Sequence, residues 1–265
     1  MNPFDHVLAW CYRRRSPYRA RLAALAPGLQ ASWRASAAAE FPGIPVSARA
    51  FMRSAEGLLM FFDATQGRGV ACALPSVAAD SVWHAWLRWD ADDLARFCRA
   101  HFGSPIPHLT LNQIGTGALT QTLVACRALQ GIPAHGPAIP ALFGLDARLR
   151  VPNGFGYRLK QRKIVYGRLG ANGALPKRVV THPQLDLSSL LAAGLISQEV
   201  YAAELALQHP RVHSSAYIHG ADMVGSSDSG SGDDGCSGDN GCSDGGGSSC
   251  GSSCGGGCGG GGGGD

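Results

Sequence analysis

Apolar residues recur at helical spacing through most of the first two hundred positions. Phe4, Val7, Leu8 and Cys11 follow an i, i+3, i+4, i+7 pattern, and a break at Pro27-Gly28 divides the first forty residues into two predicted helices. A third helix is predicted over residues 46–63, with Phe51, Leu58, Leu59 and Phe62 on its buried face. Residues 67–75 read as a loop or short strand. Pro75-Ser76 then opens the clearest helix: Ser76 is the expected N-cap, and Asp80 lies in the first turn, where a carboxylate favours the helix dipole. From there Val82, Trp83, Trp86, Leu87, Leu94, Phe97, Cys98 and Phe102 repeat at 3.6 residues, with a kink expected near Asp90 and a stop at Gly103.

Further helices are expected over 117–129 and near 140–149. The pattern then changes: Ile164, Val165 and Tyr166, and later Leu175, Val179 and Val180, flank Gly170-Ala171-Asn172-Gly173, which reads as a β-hairpin with a glycine-bearing turn. Residues 187–193 and 198–207 return to helical spacing between Pro183 and Pro210. There is no internal repeat. The pattern predicts a mainly α fold, a single helix-rich globular domain with a small β-hairpin.

Composition sets the limits of that domain. Residues 225–265 hold 19 glycines among Ser, Asp, Cys and one Asn, with no aliphatic or aromatic side chain to offset the entropy of ordering the backbone. A globular domain over 1–224 and a disordered, acidic Gly/Ser/Cys-rich tail over 225–265 are therefore expected. The chain is 265 residues with a net charge of +4, but six acidic residues and no basic ones fall in the tail. The body thus stands at +10 and the tail at −6. No acidic residue occurs between Asp146 and Asp186, while Arg148, Arg150, Arg158, Lys160, Arg162, Lys163, Arg168, Lys177 and Arg178 do.

Such a segment can meet nucleic acid, an anionic membrane surface or an acidic protein, or simply keep the surface solvated. Arg158, Lys160, Arg162, Lys163, Arg168, Lys177 and Arg178 are the anion-binding candidates, and Tyr157 and Tyr166 could stack on bases. The oppositely charged tail is expected to contact this segment within one molecule. The opening MNPFDHVLAWCYRRR places its arginines after the apolar stretch, unlike a secretory signal, and no run reaches the ~18 apolar residues of a membrane helix. A cytoplasmic protein with Cys11, Cys72, Cys98 and Cys126 as buried or free thiols is expected.

The candidate chemistry lies on the helix that begins at Ser76. Asp80, His84 and Arg88 stand at i, i+4 and i+8, beside the face that carries Trp83 and Trp86. A carboxylate one turn before an imidazole can fix its tautomer and raise its basicity, as a general base or a metal-bound histidine requires. Cys98, His101 and His108 follow, so His84, Cys98 and His108 form a set that zinc accepts. The spacing H-x13-C-x2-H-x6-H matches no standard zinc module. The competing reading is packing: Trp83 in the core, and His84 satisfied by one hydrogen bond, with Asp80 as its partner. In the tail Cys250, Cys254 and Cys258 follow C-x3-C-x3-C, a spacing open to loose metal capture, redox-sensitive thiols, plain low complexity or azole-type modification.

The stretch PSVAADSVWHAWLRWDADDLARFCRAHFGSPIPHL resembles the signature of the bacterial glycine-rich domain-containing proteins. The resemblance continues through 119–127 and the block Pro140-Ala-Leu-Phe-Gly-Leu-Asp146, covering roughly residues 45–160, and the Gly/Cys-rich ending is similar too. It places the recurrent family residues on Pro75, Ser76, Asp80, Trp83, His84, Phe97, Cys98, Phe102, Gly103 and His108. One departure is Pro107, which stands where the family usually has the first His of a pair. The resemblance implies a shared, mostly helical fold and no particular reaction. The leading functional expectation is a non-enzymatic binding or interaction protein with a basic surface and a flexible thiol-bearing tail. The alternatives are a metal-binding protein or metal-dependent enzyme using Asp80, His84, Cys98 and His108, and a nucleic-acid binder using the basic segment 148–178.

Overall fold

The computed structural model describes residues 3–109 and 113–208. The chain divides into two units, Met1–Pro210 and Arg211–Asp265, and the described residues all belong to the first. The expectations for the tail and its cysteines, and for Pro210 as a boundary, lie outside them.

The fold is mainly α. Its elements run α1 (Pro3–Arg15), α2 (Arg19–Ala23), α3 (Pro27–Glu40), α4 (Ala48–Thr65), α5 (Val77–Phe102), α6 (Ala118–Leu129), α7 (Leu145–Leu149), β1 (Phe155–Lys160), β2 (Lys163–Arg168), β3 (Val180–Thr181), α8 (Leu187–Ala192) and α9 (Gln198–Gln208). The first forty residues form three helices rather than two. Pro27 starts α3, where its missing N–H costs nothing, but the chain also breaks at Ser16-Pro17 and makes the single turn of α2. Phe4 and Val7 prove exposed, and Asp5 instead ties α1 to α4 by accepting from the Ala48 and Arg49 N–H groups at 2.6 and 3.3 Å.

The main core lies among α3, α4 and α5. Trp33, Phe51, Leu58, Leu59, Phe62 and Trp86 are fully buried, as the 3.6-residue pattern requires, and Trp33 Nε1 donates to Ser81 Oγ at 2.8 Å. A second cluster joins α6 to the sheet through Leu123, Phe143, Tyr157, Ile164 and Tyr166. The buried Arg127 donates to the Ala134 and Ala138 carbonyls and so closes the loop after α6. Cys72, Cys98 and Cys126 are buried free thiols and Cys11 is half-buried. No helix among the described residues is long and apolar enough to cross a membrane.

The β structure is a three-stranded antiparallel sheet of order β1-β2-β3. The expected pairing of 164–166 with 179–180 across the glycine-bearing segment is that of β2 with β3; β1 adds a second, tight hairpin that was not expected, with its turn at Gln161-Arg162. Both residues are left-handed (φ 49° and 62°), the conformation that matches strand twist in a two-residue turn. Arg162 is held there by Glu204 of α9 at 2.7 Å. The glycine-bearing segment makes its own turn, Gly173 N–H to Gly170 O at 2.8 Å, on the way to β3.

Two features of α5 position the site. At its start, every N–H that lacks an intrahelical acceptor finds another. Ala79 donates to Ser76 Oγ, and Val77 and Ala78 to the two carboxylate oxygens of Asp146. Asp146 is 1% exposed and also accepts from Ser76 Oγ at 2.6 Å and Phe155 N at 2.9 Å. Burial pushes its carboxyl pKa up, against the hydroxyl and the three backbone N–H groups that favour the charge. Gly154 is required beside it, because a Cβ there would stand 2.8 Å from Asp146 Oδ2.

Midway, Asp90 has non-helical backbone (φ −162°, ψ 95°) and its carboxylate accepts from Asp93 N at 2.8 Å, making it the N-cap of a second helical half. That half folds back. Trp86 and Phe97 would be about 16 Å apart along a straight helix, yet their rings are 4.9 Å apart. Trp83 and Phe102, from opposite halves, both pack on Phe62. The expected kink and the Gly103 stop (φ 80°) are thus the features that return the chain towards the start of α5.

Candidate metal centre

The returning segment places His108 against the first two turns of α5. Its Nε2 lies 3.2 Å from Asp80 Oδ1, and its ring packs edge-on to Trp83 and His84 at centroid distances of 4.6 and 4.9 Å. His84 Nε2 lies 3.6 Å from Asp80 Oδ2. One ligand atom from each of Asp80, His84 and His108 falls within 4.8 Å of the others, and all three side chains are half-buried. The spacing suits a metal: two ligands each about 2.0–2.1 Å from a tetrahedral zinc stand roughly 3.4 Å apart.

The other face of His84 meets a residue that sequence reasoning missed. His84 Nδ1 is hydrogen-bonded to Glu40 Oε1, at the end of α3, and Arg88 donates to Glu40 Oε2. Burial alone would raise the Glu40 pKa, but Arg88 and His84 outweigh it and hold the carboxyl below its ordinary value. Phe41 packs edge-on to the His84 ring at 5.7 Å. Glu40 is 44 positions from His84, so no local spacing could have revealed it.

Asp80, Trp83, His84, Arg88 and His108 are therefore brought together. Trp83 is 4% exposed, packed on Phe61 and Phe62, and forms one wall. Cys98 is left out of the group: it is fully buried in the core, where burial pushes its thiol pKa up, so the expected ligand set loses its sulfur. His101 packs on Phe97 instead. Cys250, Cys254 and Cys258 lie outside the described residues.

The basic candidates divide. Arg162 pairs with Glu204, and Arg168 lies over the Phe155 ring and donates to the Asn153 carbonyl. Arg158, Lys160, Lys177 and Arg178 are exposed and Lys163 is half-buried. Tyr157 and Tyr166 are only 9% exposed and belong to the second core cluster, so they offer no surface on which a base could stack.

The chain is thus a helix-rich protein in which two histidines and one carboxylate cluster on α5 and the segment that follows it. A family model described as UCP032817-like matches residues 42–174, and the chain belongs to that family. The matched span contains Asp80, His84, His108, Asp146 and the β1–β2 hairpin, but stops short of Glu40. Among curated proteins and among solved structures, none matches the chain.

Proposed function

We propose that the protein binds a divalent transition metal through Asp80, His84 and His108, and that its function depends on that metal. The observation that carries the reading is the environment of His84 Nε2. It is buried and makes no hydrogen bond among the described residues, and the polar atom it faces is a carboxylate oxygen. A cation held between His84 Nε2 and Asp80 Oδ2, 3.6 Å apart, would give that buried nitrogen a partner.

Two imidazoles and one carboxylate suit zinc or ferrous iron, and three protein ligands leave a coordination position for water or substrate. Such a site can activate a bound water or polarise an oxygen ligand. We take the protein to act in the cytoplasm, a reading supported by the free thiols of Cys11, Cys72, Cys98 and Cys126 among the described residues.

The test is titration of the full chain with Co(II), followed by visible absorption and calorimetry. The expected result is one ion per chain with a d–d spectrum of low coordination number. Asp80→Ala, His84→Ala and His108→Ala should each weaken binding by about a hundredfold or more. Absence of stoichiometric binding of Co(II), Zn(II) and Fe(II) would leave the cluster as two imidazoles held by one carboxylate. A second reading, an anionic partner meeting the exposed Arg158, Lys160, Lys177 and Arg178, is supported by the absence of acidic residues between Asp146 and Asp186. Salt-dependent binding of a polyanion, lost on reversing those four charges, would support it.

A further inference from the structure

We propose that Glu40, fixed by Arg88, is the positioning residue of the Asp80–His84–His108 site: it holds the proton on His84 Nδ1 and so turns the Nε2 lone pair towards the metal. The inference rests on the metal-binding reading above and adds a residue outside the segment shared with the family.

A neutral imidazole carries its proton on one nitrogen only, and the nitrogen without it is the ligand. Left alone, His84 could place the proton on either. Glu40 removes the choice, because an ionised carboxylate only accepts, and its Oε1 is hydrogen-bonded to Nδ1. The second oxygen is no freer. Arg88, one turn after His84 on α5, donates to Oε2 and prevents the carboxylate from rotating away. The three side chains form a line, Arg88 to Glu40 to His84, that ends at Asp80 and His108.

Helix stability does not explain Glu40. It is the last residue of α3, where a negative charge faces the negative end of the helix dipole and is unfavourable. Its position is explained by what lies opposite: α3 packs along α5, and Phe41, the next residue, sets its ring edge against the same imidazole. A carboxylate that orients a ligating histidine from its far nitrogen is the usual outer partner of such a ligand, and its loss lowers metal affinity without removing a ligand.

The experiment has two readouts on the full-length chain. The first is Co(II) affinity of the wild type, Glu40→Ala, Glu40→Gln and Arg88→Met, with His84→Ala as the ligand-loss control. Glu40→Ala should weaken binding by about 10–100-fold. Glu40→Gln should recover part of that, since the amide oxygen still accepts from Nδ1, and Arg88→Met should lose less than Glu40→Ala. The second is the tautomer of His84 in metal-free protein, read from imidazole ¹⁵N shifts. The wild type should carry the proton on Nδ1, and Glu40→Ala should show Nε2 protonation appearing.

Unchanged Co(II) affinity in Glu40→Ala would overturn the proposal, as would a wild-type His84 protonated on Nε2 or on both nitrogens. If the wild type binds no metal, the functional reading falls, and the ¹⁵N shifts still decide whether Glu40 sets the tautomer. Retained helical circular dichroism in Glu40→Ala separates either result from misfolding.

Discussion

Replacing Asp146 should cost more stability than any other single polar change in the described residues, although it lies in none of the expected sites. Its carboxylate accepts four hydrogen bonds, from Ser76 Oγ and the Val77, Ala78 and Phe155 N–H groups, at 2.6–3.0 Å. In Asp146→Ala three backbone donors lose their partner, Phe155 at the start of β1 and Val77 and Ala78 at the N-terminus of α5, where the dipole has already concentrated positive charge. A buried donor left unsatisfied costs about 1–3 kcal/mol, and breaking a buried charged interaction costs about 3–5 kcal/mol overall. The lower total applies because Ser76 can still cap Ala79 and water can reach Val77. Asp146→Asn should cost somewhat less, about 2–4 kcal/mol, since one oxygen still accepts while the amide N–H₂ faces donors.

In a domain of this size 1 kcal/mol corresponds to roughly 2–4 °C, so Asp146→Ala should melt roughly 6–20 °C below the wild type. The assay is urea unfolding by circular dichroism, with the slope compared between forms so that only the midpoint is interpreted. A loss under about 1 kcal/mol with an unchanged slope would show that Asp146 is not the anchor of α5.

His182 gives a pH dependence. Burial lowers its pKa to about 4, against the opposing pull of Asp186, so the folded state keeps it neutral while the unfolded chain protonates near 6.5. Stability from this group is therefore full above about pH 6.5 and is lost as pH falls towards 4. Full burial would set the loss at about 3 kcal/mol, and because the ring keeps solvent contact about 1–2 kcal/mol is expected, read as a difference between wild type and His182→Gln unfolded at pH 7 and pH 5. Trp83→Ala, which removes a ring packed on Phe61, Phe62 and His108, should cost about 3–5 kcal/mol in the same assay. Truncation after Val224 should leave the melting temperature within about 5 °C of the full chain, because residues 225–265 have no apolar side chain to contribute to a core.

What the sequence disclosed of this fold follows from the range of each signal. Ser76, Asp90 and Gly103 were legible because a cap, a kink and a left-handed stop are decided within one helical turn, and Phe51, Leu58, Leu59 and Phe62 because burial follows the helical period. The same period gave the helix α1 but not its burial, since Phe4 and Val7 are exposed on it. The hairpin turn was hidden because Gln161 and Arg162 carry none of the residues that ordinarily mark a left-handed pair, and the contact that holds them comes from Glu204. Arg127 and Asp146 close two of the recognisable blocks, yet nothing in their spacing shows that both are buried. Asp80 and His84 were found together because they share a helix stripe. Glu40 was not, because its meeting with His84 exists only once α3 lies on α5.

The fold of α5 accounts for the site. On a straight helix His108 would emerge far from Asp80, and the candidate ligands would reduce to an Asp–His pair one turn apart, too few to hold an ion. Asp90 caps a second half that turns back, Phe62 fastens both halves by touching Trp83 and Phe102, and Gly103 reverses the chain, so that His108 returns to the first half. Asp146 and Ser76 meanwhile hold the turn from which Asp80 projects. Every group that sets the ligand positions is therefore held by core packing or by hydrogen bonds within the protein. In small zinc modules the ion supplies the folding free energy. Here a hydrophobic core around Trp33, Phe51, Phe62 and Trp86 can supply it, so the proposed ion would serve the site rather than the fold.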